Sequence, residues 1–365
     1  MNISRHMTYF YLLFTLLCSP ANAENGNGHL PGAMPVSKLK VKGAHNISMS
    51  YAEGWVYAQQ SEDIESLWQG GVRMIKVPVQ WYKVAGPLES VKQGLNRLKA
   101  KITKSNVSER EPFLALCHEY PGTNNCKLTR LQRAGKDPQP VKQLFERLTR
   151  LLESNPKEVF ILKLESYLGH RSKDNGTENY SDQRATEILL QDLQQSGLAR
   201  FAISLEGRST ALTLGEMRTS GKRLIILIDP KFSVMPPYLN SFSDYAKQTH
   251  WDEKLMGECG LATNSGSAFF EANINPEVSL SNQDAKGKIV GALNKVGDKL
   301  GISSGIVRAH DYSQVNSKEN ILNRLKTCYE KHGITPNIIT SDFVNIGDLS
   351  TVVNDMNAEE AKKYK

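Results

Sequence analysis

Short apolar runs alternate with amphipathic helical patterns along most of the chain. The apolar residues between Val141 and Leu152 recur at helical spacing, and a second helix is predicted from Ser61 to Gln69. The runs with strand character are Lys40 to Ala44, Val72 to Val79, Pro112 to Cys117, Glu158 to Leu164, Phe201 to Leu205, Arg223 to Ile228, Ala268 to Ile274 and Ile338 to Val344. Nearly continuous apolar strands joined through helices indicate a parallel sheet covered on its outside. Eight such units in about 300 residues predict an α/β fold, a single (β/α)8 TIM barrel that need not be regular.

The first 23 residues have the pattern of a secretory signal peptide. Arg5 precedes an apolar stretch from Tyr9 to Cys18, and Ala21-Asn22-Ala23 has small residues at its first and third places. The apolar stretch is about half the ~20 residues that a membrane-spanning helix needs, which favours cleavage over an anchor. We therefore expect export and a secreted or periplasmic protein that begins at Glu24.

Four regions are expected along the chain. Residues 1–23 form the signal peptide, and residues 24–37 are rich in Gly, Asn and Pro, which predicts a mobile leader. Residues 38–357 form the barrel, and residues 358–365 form a polar C-terminal tail.

The chain is modestly basic. Its formal net charge of +7 falls to +6 when Arg5 is lost, since 44 basic residues then remain against 38 acidic ones. This excess indicates a solvated basic surface, or transient contact with anionic lipid headgroups worth about 1 kcal/mol per well-placed Lys or Arg. No aromatic-interleaved basic motif accompanies it, so nucleic acid is not expected as a partner.

Four cysteines remain after the signal peptide, and an even number in an exported chain favours disulfides. Cys117 and Cys126 bracket a short turn, which favours their pairing, and Cys259 with Cys328 then follows by elimination. A metal site is the alternative, but the spacings match no zinc pattern.

Three candidate catalytic side chains fall at or near predicted strand ends: His45, His118 and Asp342. The C-terminal strand ends form the active site of a (β/α)8 barrel. One imidazole can take a proton while another gives one, because the unperturbed pKa of histidine is near ~6.5. Each residue alone is explained by local hydrogen bonding, but their joint placement on one rim predicts an acid/base site suited to phosphodiester cleavage.

These segments resemble the phospholipase C-like phosphodiesterase superfamily, the TIM-barrel X-domain of phosphatidylinositol-specific phospholipases C. The likeness runs through most of the chain after the signal peptide. It is carried by Lys42-Gly-Ala-His45-Asn46, Gln60 to Arg73, Leu116-Cys-His118, Asn155 to Glu165, Thr213 to Asp229 and Ser341-Asp342-Phe343.

The resemblance implies a role for each residue of the rim. His45 would be the general base that deprotonates a neighbouring hydroxyl of the headgroup, and His118 would protonate the leaving glycerol oxygen. Asp342 would hold the imidazole of His45 in the right tautomer. Glu119 and Tyr120 follow His118 and would line the headgroup pocket, unless they only begin a loop. Asn46 and Glu165 are also predicted to bind the substrate.

The second strand departs from the family pattern, because Lys76 and Pro78 stand where acidic residues or an arginine are usual. Asn46 and Glu165 match two of the calcium ligands of the calcium-dependent members. The second-strand carboxylates that those members also use are missing here. Calcium prefers six to eight oxygen ligands, so no cofactor is expected, and calcium would have an incomplete ligand set.

Charge that develops on the phosphoryl oxygens still needs an offset. We hypothesise that Lys76 supplies it, and that Glu165 pairs with Lys76 and positions it. The alternative is that Lys76 and Glu165 form only a structural ion pair.

Three functions follow. The leading one is an exported phosphodiesterase, a phosphoric diester hydrolase or lyase of the phospholipase C type that acts on phosphatidylinositol-like phospholipid or a related phosphodiester. The second is a catalytically silent barrel that binds phospholipid or a partner protein. The third is a metal-dependent glycerophosphodiesterase or sphingomyelinase D-like enzyme, against which the missing second-strand acids argue.

Overall fold

The computed structural model describes residues 26–55, 58–82, 113–117, 136–166, 182–229, 235–250, 257–274 and 312–365. Within these residues ten strands form one sheet, and helices cover it. The strands are β1 (Val41–Ala44), β2 (Met74–Tyr82), β3 (Phe113–Leu116), β4 (Phe160–Ser166), β5 (Leu224–Asp229), β6 (Leu239–Ser241), β7 (Ala246–Thr249), β8 (Leu261–Asn264), β9 (Phe269–Asn273) and β10 (Ile338–Ser341). The helices are α1 (Ile64–Gln69), α2 (Val141–Ser154), α3 (Asp182–Gln195), α4 (Leu214–Ser220), α5 (Phe242–Tyr245), α6 (Tyr312–Val315), α7 (Lys318–His332) and α8 (Leu349–Ala361).

Eight of the strands lie side by side in parallel, in the order β6-β5-β4-β2-β1-β10-β9-β7. In the described part of the chain no ladder joins β6 to β7, so the barrel is open between these two strands. The fold is therefore a distorted (β/α)8 barrel, and the predicted fold class is confirmed.

The strand predicted from Pro112 to Cys117 is present as β3, but it is not one of the parallel barrel strands. Phe113–Leu116 is extended as predicted, but it pairs antiparallel with β2, with Leu116 opposite Val79 and Phe113 opposite Tyr82. It is therefore a branch beside the parallel row and not one of its members. An apolar run does not encode strand direction, which depends on the connection that precedes the strand.

The predicted strand from Phe201 to Leu205 is also wrong. A 3₁₀ turn occupies Leu198–Phe201, and only an isolated bridge joins Ala202 to Leu224. The backbone N–H of Leu205 donates to the side chain of Asn240 at 2.8 Å, so a side chain replaces the ladder there.

Strands β6 and β7 take the two remaining places in the parallel row, and neither was predicted from the sequence. β6 has three residues, and β7 reads Ala-Lys-Gln-Thr. Neither contains the apolar run by which the other strands were recognised.

Residues 26–37 pack against the barrel, so the prediction of a mobile leader is wrong for them. Leu30, Met34 and Val36 are buried, and the Asn27 side chain exchanges two hydrogen bonds with the backbone of Val159. The Glu158 carboxylate accepts from the backbone N–H of Asn27 at 2.8 Å. At the other end, α8 crosses the predicted boundary at residue 357, and a 3₁₀ turn continues from Lys362 to Tyr364.

Both predicted helices are present, and one predicted disulfide is confirmed. Asp63 caps α1 by accepting from the backbone N–H of Ser66, and α2 buries its apolar face. A disulfide joins Cys259 to Cys328 and so ties the segment before β8 to α7. Cys117 is also disulfide-bonded, while its predicted partner Cys126 lies outside the described residues. Among the helices described, none has the length and apolar character to cross a bilayer.

A fully buried ion pair lies inside the barrel. The Lys163 ammonium is 2.7 Å from the Glu271 carboxylate, donates to Gln248 Oε1 at 2.8 Å and lies 3.6 Å from the ring centroid of Phe242. Glu271 also accepts from the Thr340 hydroxyl at 3.0 Å. Burial alone would raise the pKa of Glu271, but the ammonium groups of Lys163 and Lys76 lower it overall. Each charge of the pair is therefore compensated within the barrel.

Removing one partner of this pair should destabilise the fold more than removing both. Lys163→Met leaves Glu271 buried without its cation, and we expect the free energy of unfolding to fall by about 3–5 kcal/mol. Lys163→Met with Glu271→Met should recover most of that loss, because two apolar side chains replace both charges. Urea denaturation measures both effects.

The control is Lys318→Met, which breaks an exposed ion pair with Asp355 and should leave the free energy of unfolding nearly unchanged, because water and salt screen exposed charges. A double variant as unstable as Lys163→Met would show that the pair itself, and not the compensation of one charge by the other, stabilises the barrel.

Candidate active site

His45 and Asp342 meet where two neighbouring parallel strands end. The register pairs Ala44 of β1 with Ser341 of β10, so the next residue of each strand lies at the same edge of the sheet. His45 Nδ1 is 2.8 Å from Asp342 Oδ1, and the two side chains are 17% and 4% exposed. A carboxylate can only accept, so it holds the proton on Nδ1, and Nε2 is then the nitrogen that carries the lone pair of a base. The contact that the resemblance implied is present, while the catalytic roles stay predictions.

The backbone turns sharply immediately after each of these residues. Asn46 has φ 47° and Phe343 has φ 44°, in the left-handed region that costs a non-glycine residue about 1–3 kcal/mol. These turns end the two strands and leave His45 and Asp342 at their tips. Strain of this kind persists only where surrounding contacts hold it.

Gln59 and Gln60 provide those contacts. The Gln60 amide donates to the carbonyl oxygens of His45 at 2.9 Å and Ser341 at 3.1 Å, and its oxygen accepts from the Val344 N–H. Gln59 accepts from the Asn46 amide at 2.6 Å. Neither glutamine was predicted as a site residue, because their position before α1 follows no hydrophobic pattern.

Lys76 and Glu165 form the ion pair proposed from the sequence. Their strands are adjacent, with Lys76 aligned with Lys163 and Pro78 with Glu165, and the ammonium is 2.9 Å from the carboxylate. Burial alone would raise the pKa of Glu165, but the ammonium groups of Lys76 and Lys163 lower it to about 2. A charged His45 acts in the same direction, which places Glu165 in the electrostatic field of the histidine site.

Asp229 is a further acidic group at this edge. It ends β5 and aligns with Glu165 of β4. Burial raises the pKa of Asp229, Lys163 opposes the rise, and the Glu165 carboxylate adds to it. Asp229 belongs to the segments that carry the resemblance but was not predicted as a site residue, although its position at the end of an apolar strand was a usable signal.

The site does not fit calcium. Asn46 Oδ1 is buried and has no hydrogen-bond partner among the described residues, which suits a ligand, but Glu165 is held by the Lys76 ammonium. A cation beside that ammonium would be repelled, and the two residues supply too few oxygen atoms for calcium. In the described residues no group of three or more His, Cys, Asp or Glu side chains is placed to hold a metal ion.

The remaining predicted site residues, His118, Glu119 and Tyr120, lie outside the described residues. The chain is described up to Cys117, which is buried and whose carbonyl accepts from the Gln80 amide of β2 at 3.4 Å. The roles proposed for these three residues stay predictions. Asn46, a predicted substrate-binding residue, is fully buried and bonded to Gln59.

The family model described as PI-PLC X 1 matches residues 113–357, which is more than half of the chain. The chain belongs to the PI-PLC X family. Within this PI-PLC X chain the matched segment contains Glu165 and Asp342, whereas His45 and Lys76 precede it. No curated protein matches the sequence.

Two solved structures align with this PI-PLC X protein over most of their length. The phosphatidylinositol-specific phospholipase C from Listeria monocytogenes aligns over 90% of this chain and 96% of its own, with 13% identity and a TM-score of 0.43. A phosphatidylinositol-specific phospholipase C from Staphylococcus aureus aligns over 93% of this chain and 99% of its own, with 11% identity and a TM-score of 0.47.

The ionisation of Glu165 should make unfolding sensitive to acid. Its pKa is about 2 in the folded protein, against an ordinary value of 4.5. A lowered pKa stabilises the fold above the ordinary value, and this stabilisation is lost as the pH falls from 4.5 towards 2. Between those limits the native protein should lose on the order of 3 kcal/mol more than Glu165→Gln.

Urea denaturation at a series of pH values measures the difference. Glu359→Gln is the control, since it removes an exposed carboxylate on α8 and leaves the interior of the barrel intact. Equal slopes for the native protein and Glu165→Gln would contradict the depressed pKa.

Proposed function

We propose that this chain is an exported phosphodiesterase of the phospholipase C type, which cleaves phosphatidylinositol-like phospholipid or a related phosphodiester. The observation that carries the proposal is the 2.8 Å contact between His45 Nδ1 and Asp342 at the ends of adjacent barrel strands. A buried carboxylate that fixes the tautomer of a partly exposed imidazole is the arrangement that a general base requires.

In the proposed mechanism, His45 Nε2 takes the proton of a headgroup hydroxyl next to the phosphate. The hydroxyl oxygen attacks phosphorus, the bond to the glycerol oxygen breaks, and His118 gives that oxygen its proton. The product is a cyclic phosphodiester, which water opens when the two histidines exchange roles. Each positioned proton transfer contributes on the order of 10²–10⁴-fold.

Lys76 is proposed to offset the negative charge that develops on the phosphoryl oxygens. Its side chain is 6% exposed, so water competes weakly for the ammonium, and Glu165 holds it at 2.9 Å. Asp229 shares this edge and would contact the hydroxyl groups of the headgroup together with Glu165, Glu119 and Tyr120.

Export and contact with a membrane surface are part of the proposal. The disulfide between Cys259 and Cys328 suits an oxidising compartment, in agreement with the signal-peptide pattern of the first 23 residues. The modest excess of basic residues would favour transient contact with anionic headgroups.

A catalytically silent barrel that binds phospholipid or a partner protein is the second candidate. The ion pair between Lys76 and Glu165 favours it, because an ammonium already paired with a carboxylate offers less to a phosphate. The same pair is therefore the feature on which the two candidates diverge.

Hydrolysis of phosphatidylinositol and phosphatidylcholine vesicles tests the proposed function. We expect the protein without its first 23 residues to release a phosphorylated headgroup in the presence of EDTA, and His45→Ala and His118→Ala each to lose on the order of 10²–10⁴-fold in rate. His29→Ala is the matched control, since His29 is exposed on the segment before the barrel.

Loss of release in EDTA would instead favour the metal-dependent enzyme. No release from either lipid, with calcium or with EDTA, would favour the silent barrel or a water-soluble substrate.

The role of Lys76 is tested separately. Lys76→Met should abolish turnover, because the cation that offsets the phosphoryl charge is removed. The double variant Lys76→Met with Glu165→Gln leaves no unpaired charge at this position and should be folded but equally inactive. Thermal unfolding and vesicle hydrolysis measure the two properties, and unchanged turnover in the single variant would remove the catalytic role.

A further inference from the structure

The carboxylate of Asp342 has a second partner. While Oδ1 faces His45, Oδ2 accepts a hydrogen bond from the Tyr312 hydroxyl at 3.3 Å. Tyr312 begins α6 and is 1% exposed, so this hydroxyl donates within the protein interior.

The ring of Tyr312 is itself held in place. It packs against Phe343 with 5.1 Å between the ring centroids, and Phe343 packs in turn against Tyr51 at 6.0 Å. Phe343 is the residue in the left-handed turn directly after Asp342. The ring of Tyr312 therefore contacts Phe343, and its hydroxyl contacts the carboxylate of the preceding residue, Asp342.

Asn316, just after α6, binds the backbone of that turn. Its amide donates to the carbonyl oxygens of Asp342 at 3.1 Å and Phe343 at 3.2 Å, and its oxygen accepts from the Ser341 hydroxyl at 2.6 Å. The side chains of Tyr312 and Asn316 thus bind both the carboxylate of Asp342 and the backbone of its turn.

We propose that Tyr312 is a positioning residue, whose hydroxyl fixes the carboxylate plane of Asp342 so that Oδ1 stays directed at His45 Nδ1. This inference rests on the proposed function of His45 as the general base. With Oδ2 engaged, rotation of the carboxylate breaks two hydrogen bonds at once, and the Nδ1–H tautomer of His45 is maintained. Tyr312 acts through Asp342 and touches no substrate.

Tyr312→Phe tests this role, because it removes one oxygen atom and keeps the buried ring. We expect kcat for phosphodiester cleavage to fall about tenfold while KM changes by less than about twofold, since the substrate contacts are unaltered. Tyr82→Phe is the matched control: Tyr82 is equally buried, and its hydroxyl donates to the Asp137 carboxylate at 2.6 Å. It should leave kcat within about twofold of the native value.

A double-mutant cycle separates positioning from a general structural effect. When Asp342 is already replaced by Ala, Tyr312→Phe should cause no further loss, because its target is gone. The same tenfold loss in that background, or an unchanged kcat in Tyr312→Phe alone, would overturn the inference.

A second measurement does not depend on turnover. In protein labelled with ¹⁵N-histidine, the imidazole shifts of His45, assigned by His45→Ala, report its tautomer. Tyr312→Phe should lower the Nδ1–H population and Tyr82→Phe should not. If the native protein cleaves no phosphodiester, the proposed function fails, and this measurement alone decides the inference: an unchanged His45 tautomer in Tyr312→Phe would overturn it.

Discussion

The parallel pairing of β1 with β10 is the constraint on which the site depends. It aligns Ala44 with Ser341, and thereby brings together His45 and Asp342, which are 297 residues apart in the sequence. The entropy of closing so long a loop grows only with the logarithm of its length, and burial of the strands offsets it. A slip of one residue would turn every side chain of a strand to the opposite face. The contact between His45 and Asp342 therefore forms only in the register that this ladder has.

A second constraint comes from charge inside the barrel. The middle of a (β/α)8 barrel is usually filled by branched apolar side chains, but here Lys76, Glu165, Lys163 and Glu271 alternate in sign across it. Each charge is tolerable because a neighbour compensates it. A phosphate that approaches Lys76 must therefore compete with Glu165. The ion pair with Glu165 makes the buried ammonium of Lys76 tolerable, and it also reduces the positive charge that Lys76 can offer to a phosphate.

The parts of the fold that the sequence predicts are those with long apolar runs. β4 and β5 are buried on both faces and read as Phe-Ile-Leu-Lys-Leu and Leu-Ile-Ile-Leu-Ile, which single out a parallel sheet. β6 and β7 were not predicted because neither contains such a run: β6 has only three residues, and β7 reads Ala-Lys-Gln-Thr. The segment before β1 was misjudged for the opposite reason: its Gly and Asn residues suggest mobility, yet Asn27 is fixed by Val159 and Glu158, contacts that exist only in the folded chain.

The site shows the same division. His45 and Asp342 could be predicted because strand ends are recognisable and the barrel assigns them a common edge. Gln60 and Tyr312 could not be predicted, because each lies outside a recognisable strand pattern. Their roles depend on the turns at Asn46 and Phe343, and the positive φ of these two residues cannot be read from the sequence. Local pattern therefore identifies the residues able to exchange protons. The residues that hold them in one orientation are fixed by tertiary contacts, and these contacts distinguish the proposed acid/base site from two polar side chains that are merely close.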